Sequence, residues 1–317
     1  MFGRVRKVVF GISARETTFE RRGFRGGANG ARERLEQIGP AFVSGYHSAL
    51  ENPKLGHLVP QLDQAPLELR GFAYEGAAMG LALLDLITPW NRGRISAFLA
   101  GAGDSHAYMV HVGAGWLLAR MPVNVEKIRR RFDPLLGWLL IDGYGFHEGF
   151  FHWPNYIDGQ PPPQRLTGYA PRVFDQGLGR SLWFVNGTDS DLIAATIRTF
   201  SQERRGDLWS GVGLACGYAG GMGDDTALCQ LRAAAGAFQP QLAQGSAFAA
   251  KARQRAGNIT GHTRMACDIL CGLTAEQAAA VTDAALENLP ATEAEPAYEI
   301  WRRRIQERFM SRKEMKK

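Results

Sequence analysis

The sequence is poor in the features that usually announce a chemistry. Four cysteines occur in 317 residues. None forms a CxxC or CxxCH, which argues against a zinc ribbon or covalent haem and fits a reducing compartment. No run of 18 uncharged apolar residues exists. Gly71–Ile87 comes nearest but carries Glu75 and Asp85, so it reads as a buried helix rather than a membrane span. Met1–Ile12 lacks the long apolar core and cleavage site expected of a secretory leader. There is no GxSxG, Walker A or Rossmann fingerprint, and no DDxxD or DxDD of terpene cyclisation. Gly211-Val-Gly213 opens a stretch like GxGxxG, but no strand precedes it and no acceptor carboxylate follows. Alternating β-branched segments are scarce, which leaves little from which to build a sheet.

Glycine is abundant, with 38 residues, against a usual share of about 7%. Many glycines fall in segments that otherwise read as helix, such as Gly211, Gly213 and Gly217. A glycine inside a helix costs about 1 kcal/mol relative to alanine, so a dense set points to close helix approach, kinks or room for a ligand. The periodic segments are rich in Ala, Leu, Arg and Glu, and they predict an all-α chain. Helices are expected over 31–49, 67–86, 107–120, 172–184, 207–219 and 242–254, and over 133–142 with a continuation to 153. A last amphipathic helix, 297–310, places Trp301, Ile305 and Phe309 at four-residue spacing. Residues 26–290 read as one helical repeat domain. A basic segment, 1–25, precedes it, and a basic helix and tail, 291–317, follows.

The net charge of +6 gathers much of its excess near the ends. No zinc-finger spacing, RNP-like strand or basic region with heptads accompanies it, which argues against nucleic acid. Basic ends fit a membrane surface or an acidic partner protein better, and a membrane protein is one such partner. Met1–Ile12 combines Val5, Val8 and Val9 with Arg4, Arg6 and Lys7, the composition either of an interfacial anchor or of a solvated terminus. The expected location is the cytoplasm, free or at the membrane periphery.

The richest stretch chemically is Leu140–Trp153, with Asp142, His147, Glu148 and His152 among aromatics and glycines. Desolvated charge requires a partner, a metal or a proton-transfer role. Tyr144–Gly149, YGFHEG, echoes RGFAYEG at Arg70–Gly76 and, without its carboxylate, LACGYAG at Leu214–Gly220. These echoes predict a repeat of roughly 70 residues whose equivalent helices line a common interior. Glu75 and Glu148 would then share that interior.

Three readings follow. Glu75, His147 and Glu148 are candidate acid–base residues beside an aromatic pocket of Trp116, Tyr144, Phe146, Phe150 and Trp183. His111, Glu148 and His152 are candidate ligands for a single transition metal, although their spacings match neither HExxH nor the ferritin-like ExxH pattern. Alternatively, the carboxylates pair with arginines such as Arg70, Arg120 or Arg180 and only lock the repeats together.

Several separated blocks carry a family resemblance: RETTFERRGF, RGFAYEGAAMGLALLD, HAYMVHVGAGWLLAR, DGYGFHEGFFHW, FDQGLGRSLWFV and DLWSGVGLACGYAGG. Over about Arg15 to Arg308 the chain resembles the UnbL-type family of bacterial proteins, domain of unknown function family 1702. Members are typically encoded in enediyne gene clusters beside an integral membrane protein. The resemblance implies work on a long hydrophobic polyene or polyyne, by a modifying enzyme or by a binding and scaffold protein docked on a membrane redox partner. It supplies no family mechanism and no catalytic residues.

Overall fold

The computed structural model describes residues 2–28, 30–290 and 295–314, and these are all-helical, with no strand among them. An N-terminal helix, α1 (Phe2–Phe10), precedes seven long helices. They are α2 (Ile38–Glu51), α3 (Arg70–Ile87), α4 (Ala107–Arg120), α5 (Leu139–Phe151), α6 (Ala170–Val185), α7 (Gln202–Ala219) and α8 (Gln239–Arg255). A last helix, α9 (Ala297–Glu314), ends the described chain. The expected helix over 31–49 breaks at Gln37 into Ala31–Glu36 and α2. Pro40 explains the break, because its ring would collide with the Glu36 carbonyl of a continuous helix.

The glycines set the packing. Each long helix from α2 to α8 packs on the next in chain order. At every junction a glycine brings its backbone against a carbonyl of the neighbouring helix. Gly177 of α6 lies on the Asp142 carbonyl of α5, and Gly145 of α5 returns the contact on the Phe174 carbonyl of α6. Farther along the same pair, Gly149 faces Ser181, so contacts advance in one direction on both helices and the two run parallel. The same sense holds at the other junctions, and the shorter segments between them carry the chain back. Gly177→Ala is expected to destabilise the protein by about 2 kcal/mol or more. The added methyl meets backbone that cannot yield, and this outweighs the gain in helix propensity of about 1 kcal/mol. Thermal or urea denaturation reads the change.

This packing fixes the repeat, and it is not the 70-residue unit read from the sequence. Gly76, Gly113, Gly143, Gly177, Gly211 and Gly245 each meet the carbonyl of the preceding long helix, one glycine per helix. The unit is therefore one long helix with its return. In that frame the equivalent of Glu75 is Asp142, the residue just before Gly143, and not Glu148. The YGFHEG echo is out of register by six positions with the backbone packing.

The array curls until its far end meets its beginning. Arg253 donates to the Glu68 carbonyl at 2.7 Å and Asn258 to that of Leu67 at 3.0 Å. Tyr218 of α7 packs edge-on to Phe72 of α3, with ring centroids 5.2 Å apart. Each chain end then closes one end of this arch. At the end carrying the C-terminal halves of the long helices, Ile12, Thr17 and Leu35 cover the interior. Trp153 Nε1 ties that cover down by donating to the Arg22 carbonyl at 2.8 Å.

At the opposite end sits α9. Tyr298, Trp301, Arg302 and Ile305 are at most 1% exposed. Arg302 pairs with Asp207 at 2.6 Å, and Arg172 bridges Asp207 and Glu299 at 2.9 and 2.6 Å. The basic stretch set apart in the sequence as 291–317 thus places Ala297–Phe309 against the core. Residues 291–294 and 315–317 lie outside the described residues, as do Met1 and Asn29.

Candidate functional site

Between the two closures lies an aromatic cavity. Its walls include Phe42, Phe72, Trp116, Phe146, Phe150 and Tyr218, with Glu75 and Arg180 as its charged groups. The unfilled volume along these residues is about 670 Å³, counting the part open to solvent. Little of that volume is wide enough for water, so the interior is a narrow, largely apolar space.

The parallel helices aim these groups at one another. Asp142 of α5 pairs with Arg180 of α6, both within the core. Gln176, one turn before Arg180, donates to the other Asp142 oxygen at 2.7 Å and to the Tyr298 hydroxyl at 3.0 Å. Ser210 Oγ donates to Gln244 at 2.9 Å and prolongs the polar row onto α7 and α8. Asp142, Gln176, Ser210 and Gln244 each precede the packing glycine of their helix, so one face of the arch carries a buried polar ladder. Arg180 leads from this ladder into the cavity, where its guanidinium lies 4.8 Å from the Phe146 ring centroid.

Glu75 is 2% exposed. Burial raises its carboxyl from 4.5 to about 7, with the Arg180 charge opposing the rise. It is therefore poised between acid and base near neutral pH. The Trp116 indole N–H is near enough to weigh on this charge, yet neither Glu75 Oε1 nor Trp116 Nε1 has a hydrogen bond of good geometry. The Tyr218 hydroxyl is a third buried polar atom without a partner among the described residues. Unmatched buried polar atoms cost about 1–3 kcal/mol each. All three residues line the same cavity, and together they mark a place for water or for a ligand's polar end.

His147, Glu148 and His152 form a second group outside this cavity. His147 Nδ1 lies 3.5 Å from Glu148 Oε1, and His152 Nδ1 lies 3.3 Å from Glu148 Oε2. Tyr156 donates to Glu148 Oε2 at 3.3 Å. Burial pushes the His147 imidazole down, towards its neutral form. Burial also pushes the Glu148 carboxyl up, but the imidazoles and the Tyr156 hydroxyl outweigh it and hold the group below its ordinary value. Glu148 is thus an ionised carboxylate beside the cavity wall, and the carboxylic acid of the interior is Glu75.

The other sequence candidates divide plainly. Trp116, Phe146 and Phe150 line the cavity, whereas Tyr144 and Trp183 do not. Tyr144 accepts from Arg165 at 3.0 Å, and Trp183 is fully buried with its indole donating to the Gly220 carbonyl at 2.8 Å. His111 is not part of the His147–Glu148–His152 group. Its Nδ1 donates to the Ala107 carbonyl at 2.7 Å, one turn back, and its ring packs on Phe132. Arg70 pairs with Asp63 rather than with Glu75. Sequence reasoning missed Tyr218 and Phe42 as lining residues. Tyr218 lies inside the echo LACGYAG, whose only sequence signal is the missing carboxylate at Ala219.

A family model described as "Protein of unknown function (DUF1702)" matches residues 1–309. The chain belongs to this family. No curated protein and no solved structure matches it. Among the described residues of this DUF1702 protein, no helix is long and apolar enough to cross a membrane.

Proposed function

We propose that this DUF1702 protein takes a long, thin, conjugated hydrocarbon chain into the aromatic cavity and moves protons along it, with Glu75 as the acid–base group. The UnbL-type resemblance supplies the substrate class, a polyene or polyyne intermediate of enediyne biosynthesis. The observation that carries the chemistry is the placement of Glu75, Trp116 and Tyr218 around one aromatic cavity, with Glu75 Oε1, Trp116 Nε1 and the Tyr218 hydroxyl in no hydrogen bond of good geometry. A neutral Glu75 can protonate one carbon of a conjugated chain. The resulting carboxylate can then take a proton from another, so a double bond migrates without oxidant or cofactor. Arg180 favours the carboxylate step, and the aromatic faces exclude water.

A second reading, a scaffold docked on a membrane or membrane protein, is favoured by one surface observation. Val5, Val8 and Val9 of α1 are 55%, 85% and 64% exposed, and Trp90 is 82% exposed. Basic Arg4 and Lys7 share α1 with these valines.

One experiment separates the readings: product formation in an enediyne-producing strain carrying either Glu75→Gln or Val8→Asp/Val9→Asp, at matched protein levels. Glu75→Gln is expected to reduce product by about a hundredfold or more, with the valine variant near wild type. Normal production with Glu75→Gln and loss with the valine variant would reverse the assignment.

A further inference from the structure

We propose that His147, Glu148 and His152 bind one divalent first-row transition-metal ion, on the far side of the cavity wall formed by Trp116 and Phe151. One ligand atom from each of the three side chains lies within 4.8 Å of the others. The two nearest separations are 3.5 Å and 3.3 Å, each between an imidazole Nδ1 and a different oxygen of Glu148. An ion held about 2.1 Å from tetrahedrally arranged ligands separates neighbouring ligand atoms by about 3.4 Å. Each imidazole thus lies near that spacing from one carboxylate oxygen, and an inward shift of the half-exposed His152 ring closes the remaining separation, up to 4.8 Å, onto a shared ion.

Glu148 brings the two imidazoles to one place. On a regular helix His147 and His152, five residues apart, point about 140° away from each other. Helix α5 ends at Phe151, and His152 adopts φ −126° and ψ 27°, its N–H donating to the Glu148 carbonyl at 2.8 Å. The His152 ring therefore lies over Glu148, one helical turn before it, where the backbone leaves the helix.

A Glu–His pair four residues apart at a helix end is ordinary surface electrostatics. His147 is not covered by that account. It is 6% exposed, and its Nδ1 has no hydrogen-bond partner although it faces the carboxylate. Its ring is fixed by the Trp116 edge, with centroids 5.4 Å apart, and by Phe151 at 4.8 Å. A buried ring nitrogen, held by aromatic contacts and directed at a carboxylate beyond good hydrogen-bond geometry, is placed as a metal ligand requires.

The donor set selects the ion. Two imidazoles and one carboxylate suit Zn(II), Fe(II), Co(II) or Mn(II), and suit Ca(II), Mg(II) or Cu(I) poorly. The His152 side chain is 51% exposed, which leaves the ion open to water or to a further ligand on its outer side. Arg120 adds an opposing positive charge near His147, so a moderate affinity is expected. None of the three ligands lines the aromatic cavity, so this site and the acid–base reading stand or fall separately.

Cobalt(II) titration of the tag-free full chain, followed by visible absorption and by competition with Zn(II), tests the proposal. The wild type is expected to bind one equivalent. Glu148→Gln and His152→Ala are expected to bind about a hundredfold more weakly, with unchanged far-UV circular dichroism. His152→Ala alters a half-exposed side chain and so keeps the test valid even if Glu148→Gln misfolds. No saturable equivalent in the wild type, or equal binding by wild type and His152→Ala, overturns the assignment.

Discussion

Arg180→Leu is expected to destabilise the protein by about 3–5 kcal/mol. Asp142 is fully buried and Arg180 is its ion-pair partner. Removing the guanidinium leaves a carboxylate in the interior with only the Gln176 amide on one oxygen. Truncating one member of such a pair is costly because the other charge stays desolvated, whereas replacing both with apolar groups is often close to neutral. Arg180→Leu combined with Asp142→Leu should therefore recover most of the lost stability. Urea unfolding of the two variants beside the wild type measures the difference. A loss below about 1 kcal/mol for Arg180→Leu alone would show that Asp142 takes up a proton or a water at little expense.

Glu75→Gln should do the opposite, and its effect should depend on pH. The Glu75 carboxyl holds its proton to about pH 7 in the folded protein, against 4.5 as its ordinary value. Its protonated form is thus favoured by folding. The contribution is complete below pH 4.5 and is lost as pH rises through about 7, where the folded chain must carry a buried charge. The full span corresponds to about 3 kcal/mol. Glutamine resembles the protonated acid and carries no such cost. The variant should match the wild type near pH 4.5 and exceed its stability by up to about 3 kcal/mol at pH 8. A stability difference that stays flat between pH 5 and pH 8 would show that Glu75 does not titrate in that range. Higher stability with lost product formation is the signature of a group kept for chemistry rather than for the fold.

Much of the helical content is legible in the sequence, because it follows from local periodicity and capping residues. The helix expected over 107–120 appears at those bounds, as Ala107–Arg120. The glycine excess correctly signals close helix approach, since a residue without Cβ inside a helix is unfavourable unless a neighbour uses the space. Which glycines do so was not legible. The sequence echo aligned Glu75 with Glu148 by their shared aromatic and glycine neighbours. Backbone contact instead aligns Glu75 with Asp142, because register is decided by which carbonyl a glycine meets on another helix.

The site divides in the same way. Residue types in DGYGFHEGFFHW are enough to mark a costly concentration of charge and imidazole in an apolar setting. They do not determine which group keeps its proton. Glu75 and Glu148 look alike in sequence, yet one lies against aromatic side chains and the other against two imidazoles and a tyrosine hydroxyl, so their carboxyls shift in opposite directions. Likewise His111 and His147 are both buried histidines. Only His147 meets Glu148; the His111 ring turns to the Ala107 carbonyl of its own helix. Sequence by itself determined that this chain is helical, glycine-packed and equipped with buried carboxylates and imidazoles. The tertiary structure decided which of them share a cavity, since desolvation and Coulomb interaction depend on distances between helices that no local pattern encodes.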